Sequence, residues 1–411
     1  MILLSLLLAA ASGQYSMPQM AKPSACRAED GYAAAFGGRR TFLLKPGQLQ
    51  AIKAVRDRDP VVRLAYVALL ARADAALVRQ PGSVMDKTRL PPSGDRHDYL
   101  SIAPYWWPDP ADPDRPYLRR DGEINPIRET RAYDRSALSV MSADAETLAL
   151  AYFYSDDRRY ADKAAGVIRT WFLDPATAIN PNARFAQGVR GRSSGRAAGV
   201  LDTSALQPVI EAIGLITPSG TLAVTEQAAL EAWFSRYVDW IRQSPAGRRE
   251  QAAKNNHGLW FDAQLAHFAL FARRPDVARR TIEAFPKQRI AVQFDPSGAL
   301  PAELGRTRSM HYSVYALDGA YDVADLAVCF DRDLWNYVGT GGRSLRKATE
   351  FLAVYRGRPA AWRYPETRWP ATELDALLTR ADLAWGPRVH PRSNTWPLPL
   401  LYSAETNALL K

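Results

Sequence analysis

The sequence predicts an all-α protein, a single domain folded as an (α/α) toroid in which helical hairpins form an incomplete barrel. Three observations lead there. Apolar residues recur at helical spacing in segment after segment from about residue 47 onward. Several segments follow one another across short turns, which makes antiparallel neighbours. Strictly alternating, strand-like patterns are scarce.

Leu49 to Arg79 reads as two helices parted at Asp59-Pro60, because proline disfavours the α region in the residue before it. Helices are then expected over Ser136 to Tyr154, Arg159 to Phe172, Thr203 to Ile216, Thr225 to Ser244 and Gln251 to Phe271. Asp276 to Phe285, His311 to Cys329, Ser344 to Tyr355 and Glu373 to Trp385 complete the set. Arg289 to Phe294 is the best strand candidate. No repeat is evident, and no linker divides the ring, which is assigned residues 46–411 behind an N-terminal segment 14–45. Pro81 to Glu129 and Asn180 to Asp202 are too long for simple connections, and loops of that size are usually functional. One carries Tyr99, Tyr105, Trp106 and Trp107; the other carries Gln187, Arg190, Arg192 and Arg196. Aromatics and arginines on loops above a helical ring describe a cleft for a charged sugar chain.

Composition narrows the partner. The 411 residues are 47% hydrophobic and include 42 aromatics, enough buried surface to exclude disorder. No run of about 18 apolar residues occurs, so a polytopic membrane protein is excluded and no membrane span is expected. The net charge is +10, with nine lysines and 44 arginines. That excess suits a polyanion, because arginine grips carboxylate and phosphate through a planar fork; bias in an arginine-rich proteome is the competing reading. The apolar run Ile2 to Ala11, followed by small residues, has the length of a signal-peptide core, giving residues 1–13 as a leader cleaved near Ala11 to Gly13. It lacks a basic start, so translation is expected to begin a few residues upstream. A periplasmic or secreted location follows, which argues against nucleic acid as the partner. Cys26 and Cys329 either form one disulfide after export or are small buried hydrophobes.

Two segments carry unusual chemistry. Lys254-Asn255-Asn256-His257-Gly258-Leu259-Trp260-Phe261 places three poor helix-formers at the head of an apolar helix, with His257, Trp260, Phe261 and Gln264 on one face. A frayed first turn capped by an asparagine would read the same way. Glu303-Leu304-Gly305-Arg306-Thr307-Arg308-Ser309-Met310-His311-Tyr312 crowds arginines, a histidine and a tyrosine at a loop-to-helix junction, where a solvated basic turn is the alternative. His97, His257, His267, His311 and His390 include no HExxH, so a zinc site is not expected. P-loop, dinucleotide and GxSxG signatures are absent. A glycosidase carboxylate pair is not excluded by counting.

At these residues the chain resembles the alginate lyase domain superfamily, closest to polysaccharide lyase family thirty-eight and more remotely to family five. Asn255-Asn256-His257-Gly258, Glu303-Leu304-Gly305-Arg306-Thr307-Arg308 with Tyr312-Ser313, and His97-Asp98-Tyr99-Leu100-Ser101-Ile102-Ala103-Pro104-Tyr105-Trp106-Trp107-Pro108 carry it. Trp171-Phe172-Leu173-Asp174-Pro175, Asn180-Pro181-Asn182 and Ala186-Gln187 fit as well, so the match runs in order from about residue 95 to 370. Phe261 departs from it, standing where tyrosine is more usual and removing a hydroxyl expected near the cleft.

The resemblance implies β-elimination of a 1,4-linked uronate polysaccharide, alginate first and glucuronan close behind, by Asn256, His257, Arg306 and Tyr312. Asn256 and Arg306, helped by His257, would neutralise the substrate carboxylate so that the neighbouring C5 proton can leave. Tyr312 is the expected base and acid where C5–H and O4 share a face. His257 is the expected base, with Tyr312 as acid, where they are anti. A tyrosine pKa of about 10 would need lowering by Arg306 or Arg308. No metal or cofactor is expected. Substrate contacts are assigned to Asn255, Tyr99, Trp106, Trp107, Gln187, Arg190, Trp260, Arg308 and His311, of which the loop aromatics serve equally as a structural plug. His311 is expected to point away from Tyr312, His267 to be a core histidine and His97 a loop contact. A glycoside hydrolase on the same ring, or a non-catalytic binder of acidic glycans, are the competing functions. Endo or exo action and oligomeric state are not legible.

Overall fold

The computed structural model describes residues 15–112 and 114–386. The expected leader and His390 lie outside the described residues.

The chain is an (α/α) toroid. Helices α1 (Pro46–Val55) and α2 (Pro60–Val78) break where proline dictates, and the Asp59 carboxylate accepts the backbone N–H groups of Val61 and Val62 to cap α2. Helix α3 (Arg135–Ser155) packs on α4 (Arg158–Phe172) and α5 (Gln207–Ile216). After α6 (Val224–Gln243) and the short α7 (Pro245–Gln251) come α8 (Asn256–Phe271) and α9 (Pro275–Phe285). Helix α10 (Ser309–Ala327) follows, then α11 (Leu345–Ala353) and α12 (Ala371–Trp385).

Every residue of α10 is buried, the mark of a helix surrounded by others. It lies along α8, and the two approach so closely that a Cβ at Gly319 would sit 3.0 Å from the Trp260 indole. These two helices bring the unusual sequence segments together. Three carboxylates on the far half of α10 are neutralised from outside it. Arg380 of α12 bonds Asp318, Asp322 (2.8 Å) and Asp325 (3.2 Å), while Lys45 reaches Asp325 at 2.6 Å.

The two long loops are organised rather than loose. Strand β1 (Leu100–Ile102) of the first pairs in parallel with β4 (Phe185–Gly188) of the second, and β2 (Trp106–Trp107) pairs with β3 (Leu118–Arg119). Backbone groups on loops over an apolar ring need partners, and these short ladders supply them. The expected strand Arg289 to Phe294 is instead a π turn, Pro286–Ile290, continuing into a helical turn, Ala291–Gln293. Its buried residues Arg289, Ile290 and Gln293 fall at helical spacing. Arg289 is held there by Asp262 at 2.7 and 2.9 Å and by the carbonyls of Gln251 and Ala253. Thr203 to Leu206 also differs: the segment enters as a 3-10 helix, Ala197–Leu206, before α5. The span 197–219 is long and apolar enough to cross a membrane, yet 89% of its best window is buried inside the protein, as befits core.

Within residues 15–45, Cys26, Phe36, Phe42 and Leu44 join the ring's own core. Cys26 is disulfide-bonded to Cys329, 303 residues away. Glu211 of α5, fully buried, accepts the backbone N–H groups of Phe42, Leu43 and Leu44 at 2.9–3.2 Å and lies 2.8 Å from His267 Nε2. His267 is thus a partnered core histidine, and His97 Nδ1 contacts the Ala178 carbonyl at 2.7 Å.

Candidate active site

The loops and the heads of α8 and α10 border an open cleft of about 280 Å³. It is lined by Asn256, His257, Arg306 and Tyr312, among others.

Helix α8 begins without a side-chain cap from Asn255, whose backbone is extended. The cap comes from Glu303, the buried residue of a single helical turn (Pro301–Leu304) that delivers it to the helix head. Its Oε1 accepts the Asn256 backbone N–H at 2.5 Å and its Oε2 accepts Asn256 Nδ2–H at 2.9 Å. A carboxylate at a helix N-terminus satisfies an orphan donor and meets the positive end of the dipole. Burial pushes the Glu303 carboxyl upward, against the pull of Asn256, Arg306 and His257. The contact also fixes the Asn256 amide, leaving one Nδ2–H free and Oδ1 buried without a partner.

One residue on, His257 is partly exposed, its Nδ1 2.5 Å from Oε1 of the buried Glu250 on α7. An anionic acceptor at Nδ1 selects the tautomer with its proton there, which leaves a lone pair on Nε2. Arg306 donates Nε and Nη2 to the two oxygens of Asp121 at 3.2 and 3.0 Å. Burial alone would raise the Asp121 carboxyl, but bonds from Arg306 and Arg119 bring it down to about 2. The same guanidinium lies 3.7 Å from the centroid of the Tyr312 ring, a cation–π stack.

Tyr312, in the first turn of α10, is 7% exposed and shares a hydrogen bond between hydroxyls with Tyr105. Burial drives its pKa further above the ordinary tyrosine value, Tyr105 adds to this, and Arg306 opposes without prevailing. The phenol is therefore neutral at physiological pH, contrary to the sequence-based requirement that cations lower it. His311 lines the cleft as well, its ring edge-on to Tyr312 with centroids 5.2 Å apart. Burial first, then Arg308, Arg306 and Arg368, push its pKa down to about 3, so it is neutral.

Two comparisons with known proteins bear on this cleft. The sequence model of the alginate lyase family matches residues 83–362. The chain belongs to the alginate lyase family. It is a polysaccharide lyase. A crystal structure of an alginate lyase from Bacteroides ovatus superposes with a TM-score of 0.83 at 36% identity, covering 89% of this chain and 99% of that one. Alginate lyase A1-III from Sphingomonas species A1 shares the fold at a TM-score of 0.51 and 16% identity, covering 81% of this chain and 90% of that one. A variant of that enzyme complexed with a tetrasaccharide gives 0.50 and 17% over 82% and 91%. No curated protein matches the chain.

The lyase distributes the expected contact residues unevenly. Trp106, Gln187, Asn255 and His311 line its cleft with the catalytic candidates. His311 does so because it sits in the same first turn as Tyr312, correcting the expectation that it points away. Gln187 holds a left-handed backbone, φ 49°, while donating to Asp202 and accepting from Arg196, both at 2.8 Å.

Tyr99 is corrected to a structural residue: it is 1% exposed, with its hydroxyl donated to Asp202 beneath the cleft. Trp260 is likewise under the floor, 3% exposed, stacked on Tyr315 at 4.9 Å and donating Nε1–H to the Tyr315 carbonyl. Phe261 is fully buried in the core, so the hydroxyl it lacks would not have faced substrate. Trp107 lies outside the lining, its indole donating to the Glu123 carbonyl and covered by Arg120. Arg190 is an exposed rim residue paired with Asp114 at 3.0 Å. Arg308 is buried behind His311 and acts on it through charge.

Sequence reasoning missed the residues that hold the site in shape: Glu250, Glu303, Asp121 and Tyr105. Glu303 and Tyr105 stood inside motifs already singled out. Glu250 is seven residues before His257, but the turn between α7 and α8 removes any helical spacing that would have linked them. Asp121 carries no local signal.

Proposed function

We propose that this lyase cleaves the 1,4-links of alginate by β-elimination, with Asn256, His257, Arg306 and Tyr312 as its catalytic residues. The observation that carries the reading is the convergence of these four side chains on one cleft lined by five arginines (Arg119, Arg128, Arg135, Arg196 and Arg306). The alginate lyase from Bacteroides ovatus, 36% identical over nearly its whole length, supports the substrate.

The reaction removes the C5 proton, breaks the C4–O4 bond, forms a C4–C5 double bond and returns a proton to O4. Charge builds on the substrate carboxylate as the C5 proton leaves. The free Asn256 Nδ2–H and the Arg306 guanidinium are the donors suited to stabilise it, and Glu303 and Asp121 keep both aimed. For guluronate, where C5–H and O4 are anti, His257 Nε2 takes the proton and the Tyr312 phenol supplies one to O4. The neutral Tyr312 phenol, with its pKa raised by burial, already suits the acid role. For mannuronate, where the two share a face, Tyr312 serves as base and then acid, and must first lose its proton with Arg306 stabilising the tyrosinate.

A glycoside hydrolase would need two carboxyl groups across the cleft. Among the described residues Asp202 is the one carboxylate in the lining, and its oxygens are occupied by Tyr99, Ser101 and Gln187. Glucuronan is the second substrate on this reading, because its C5–H and O4 also share a face. The Cys26–Cys329 disulfide favours export to the periplasm or beyond. The test is ultraviolet absorbance of new unsaturated uronate ends on polymannuronate, polyguluronate, glucuronan, hyaluronan and heparin-like chains in turn. Absorbance on the first two supports the assignment; absorbance on none refutes it.

A further inference from the structure

Helix α2 (Pro60–Val78) is apolar on both sides. Val62, Leu69, Ala73 and Ala76 are buried against the ring. On its far side Val61, Leu64, Val67 and Val78 stand 53–82% exposed, and Ala68, Ala71 and Ala75 are exposed between them. Isolated apolar residues on a surface are ordinary, whereas a helix apolar all round is one that other protein surrounds. Six of these residues, Val61, Leu64, Ala68, Ala71, Ala75 and Val78, alternate at spacings of three and four. That is the heptad seam of a helix pair, about 26 Å long. None of residues 60–78 lines the catalytic cleft.

The stripe fits a second copy of itself in shape and in charge. Its side chains are nearly palindromic about the point between residues 69 and 70. An antiparallel two-fold pairing sets Val61 against the partner's Val78, Leu64 against the partner's Ala75 and Ala68 against the partner's Ala71. Large meets small at one level and alanine meets alanine at the centre, so the helices can approach closely and interdigitate. Arg63 and Asp74 are both exposed on one flank of the stripe. The same pairing brings Arg63 level, within one turn, with the partner's Asp74, and the two-fold axis makes two such ion pairs. Asp74 Oδ1 accepts the Tyr160 hydroxyl at 2.7 Å, so the carboxylate is held in place while Oδ2 stays available.

We propose that α2 is the surface through which two copies of this chain associate, antiparallel about a two-fold axis, using residues that leave the lining of each cleft untouched. One helix pair buries little area beside a standard interface, so the dimer is a dissociable one.

Sedimentation velocity of the chain, run from about 1 to about 100 µM, tests it. The parent's mass should rise toward twice that of one chain. Leu64→Lys, a change at an exposed site, should remain a monomer throughout, with melting temperature and lyase rate unchanged. Arg63→Asp sets like charges opposite each other twice over and should weaken dimerisation about 10-fold. Arg63→Asp combined with Asp74→Arg should restore it, and a double variant no tighter than Arg63→Asp overturns the antiparallel pairing. A parent that is monomeric at every concentration overturns the proposal, and so does a dimer that Leu64→Lys leaves intact. Binding of a monomeric parent to phosphatidylglycerol–phosphatidylethanolamine vesicles, abolished by Leu64→Lys, would assign the stripe to a membrane surface and overturn the second copy.

Discussion

Replacing Glu250 by glutamine probes how the cleft sets up its base. The carboxylate is 5% exposed and lies 2.5 Å from His257 Nδ1, a charge-assisted contact in a largely dehydrated setting. Hydrogen bonds to charged groups are worth about 1.5–3 kcal/mol. Glutamine is nearly the same size, so packing is retained while the charge is lost and the amide can present either an oxygen or an N–H to the ring. In the second orientation the imidazole must carry its proton on Nε2, where it cannot act as base. Losing that interaction corresponds to a fall of roughly 10- to 150-fold in kcat/KM. The assay is the initial rate of unsaturated-end formation on polyguluronate, the substrate for which His257 is the proposed base, with melting temperature as a control for folding. A rate within twofold of the parent would refute the argument that Glu250 fixes the working tautomer.

Other predictions follow the same lines. Because burial raises the Tyr312 pKa, activity that needs tyrosinate grows as pH rises. The rate on polymannuronate should therefore keep climbing into the alkaline range after the rate on polyguluronate has levelled, as parallel pH–rate profiles would show. Arg380→Ala should cost about 3–5 kcal/mol in denaturant unfolding, since Asp318, Asp322 and Asp325 would be left buried beside Lys45 alone. Asp121 has its pKa lowered from 3.8 to about 2, so its bond to Arg306 contributes stability that is complete above about pH 4 and lost as pH falls through 2. Asp121→Asn should accordingly flatten the acid limb of a melting-temperature profile. Gly319→Ala should lower activity as well as stability, because its methyl presses on Trp260, which supports Tyr315 under the cleft.

Much of the ring was legible because helical periodicity is a local property. The break at Asp59-Pro60 and the spans of α4 and α9 appear within a residue or two of where apolar spacing and proline put them. Arg289 to Phe294 misled because a short apolar run fits either period, and a buried ion pair to Asp262, 27 residues back, decided it. The small sheets were illegible for a related reason: β1 and β4 pair across more than 80 residues, with two to four residues in each strand.

At the site, the residues to which proton transfer and charge neutralisation are assigned stood out in sequence. Their supports did not, since Asp121 lies 185 residues from Arg306 and Tyr105 lies 207 from Tyr312. Aromatic residues in a loop gave no sign of which way they face, so Tyr99 and Trp106, seven residues apart, ended on opposite sides of the cleft floor. Many arginines are held in ion pairs away from the cleft, as Arg159 is with Asp157 and Arg280 with Asp276, and the share that bears on function is the group lining the cleft.

The most direct measurement compares the parent enzyme with Tyr312→Phe for unsaturated uronate formation on polymannuronate and polyguluronate. Strong absorbance growth is expected with the parent on both polymers, with a loss of about 100- to 10,000-fold in the variant, the usual contribution of a general acid–base group, at an unchanged melting temperature. Full activity in the folded variant, or hydrolytic fragments without unsaturated ends from the parent, would contradict it.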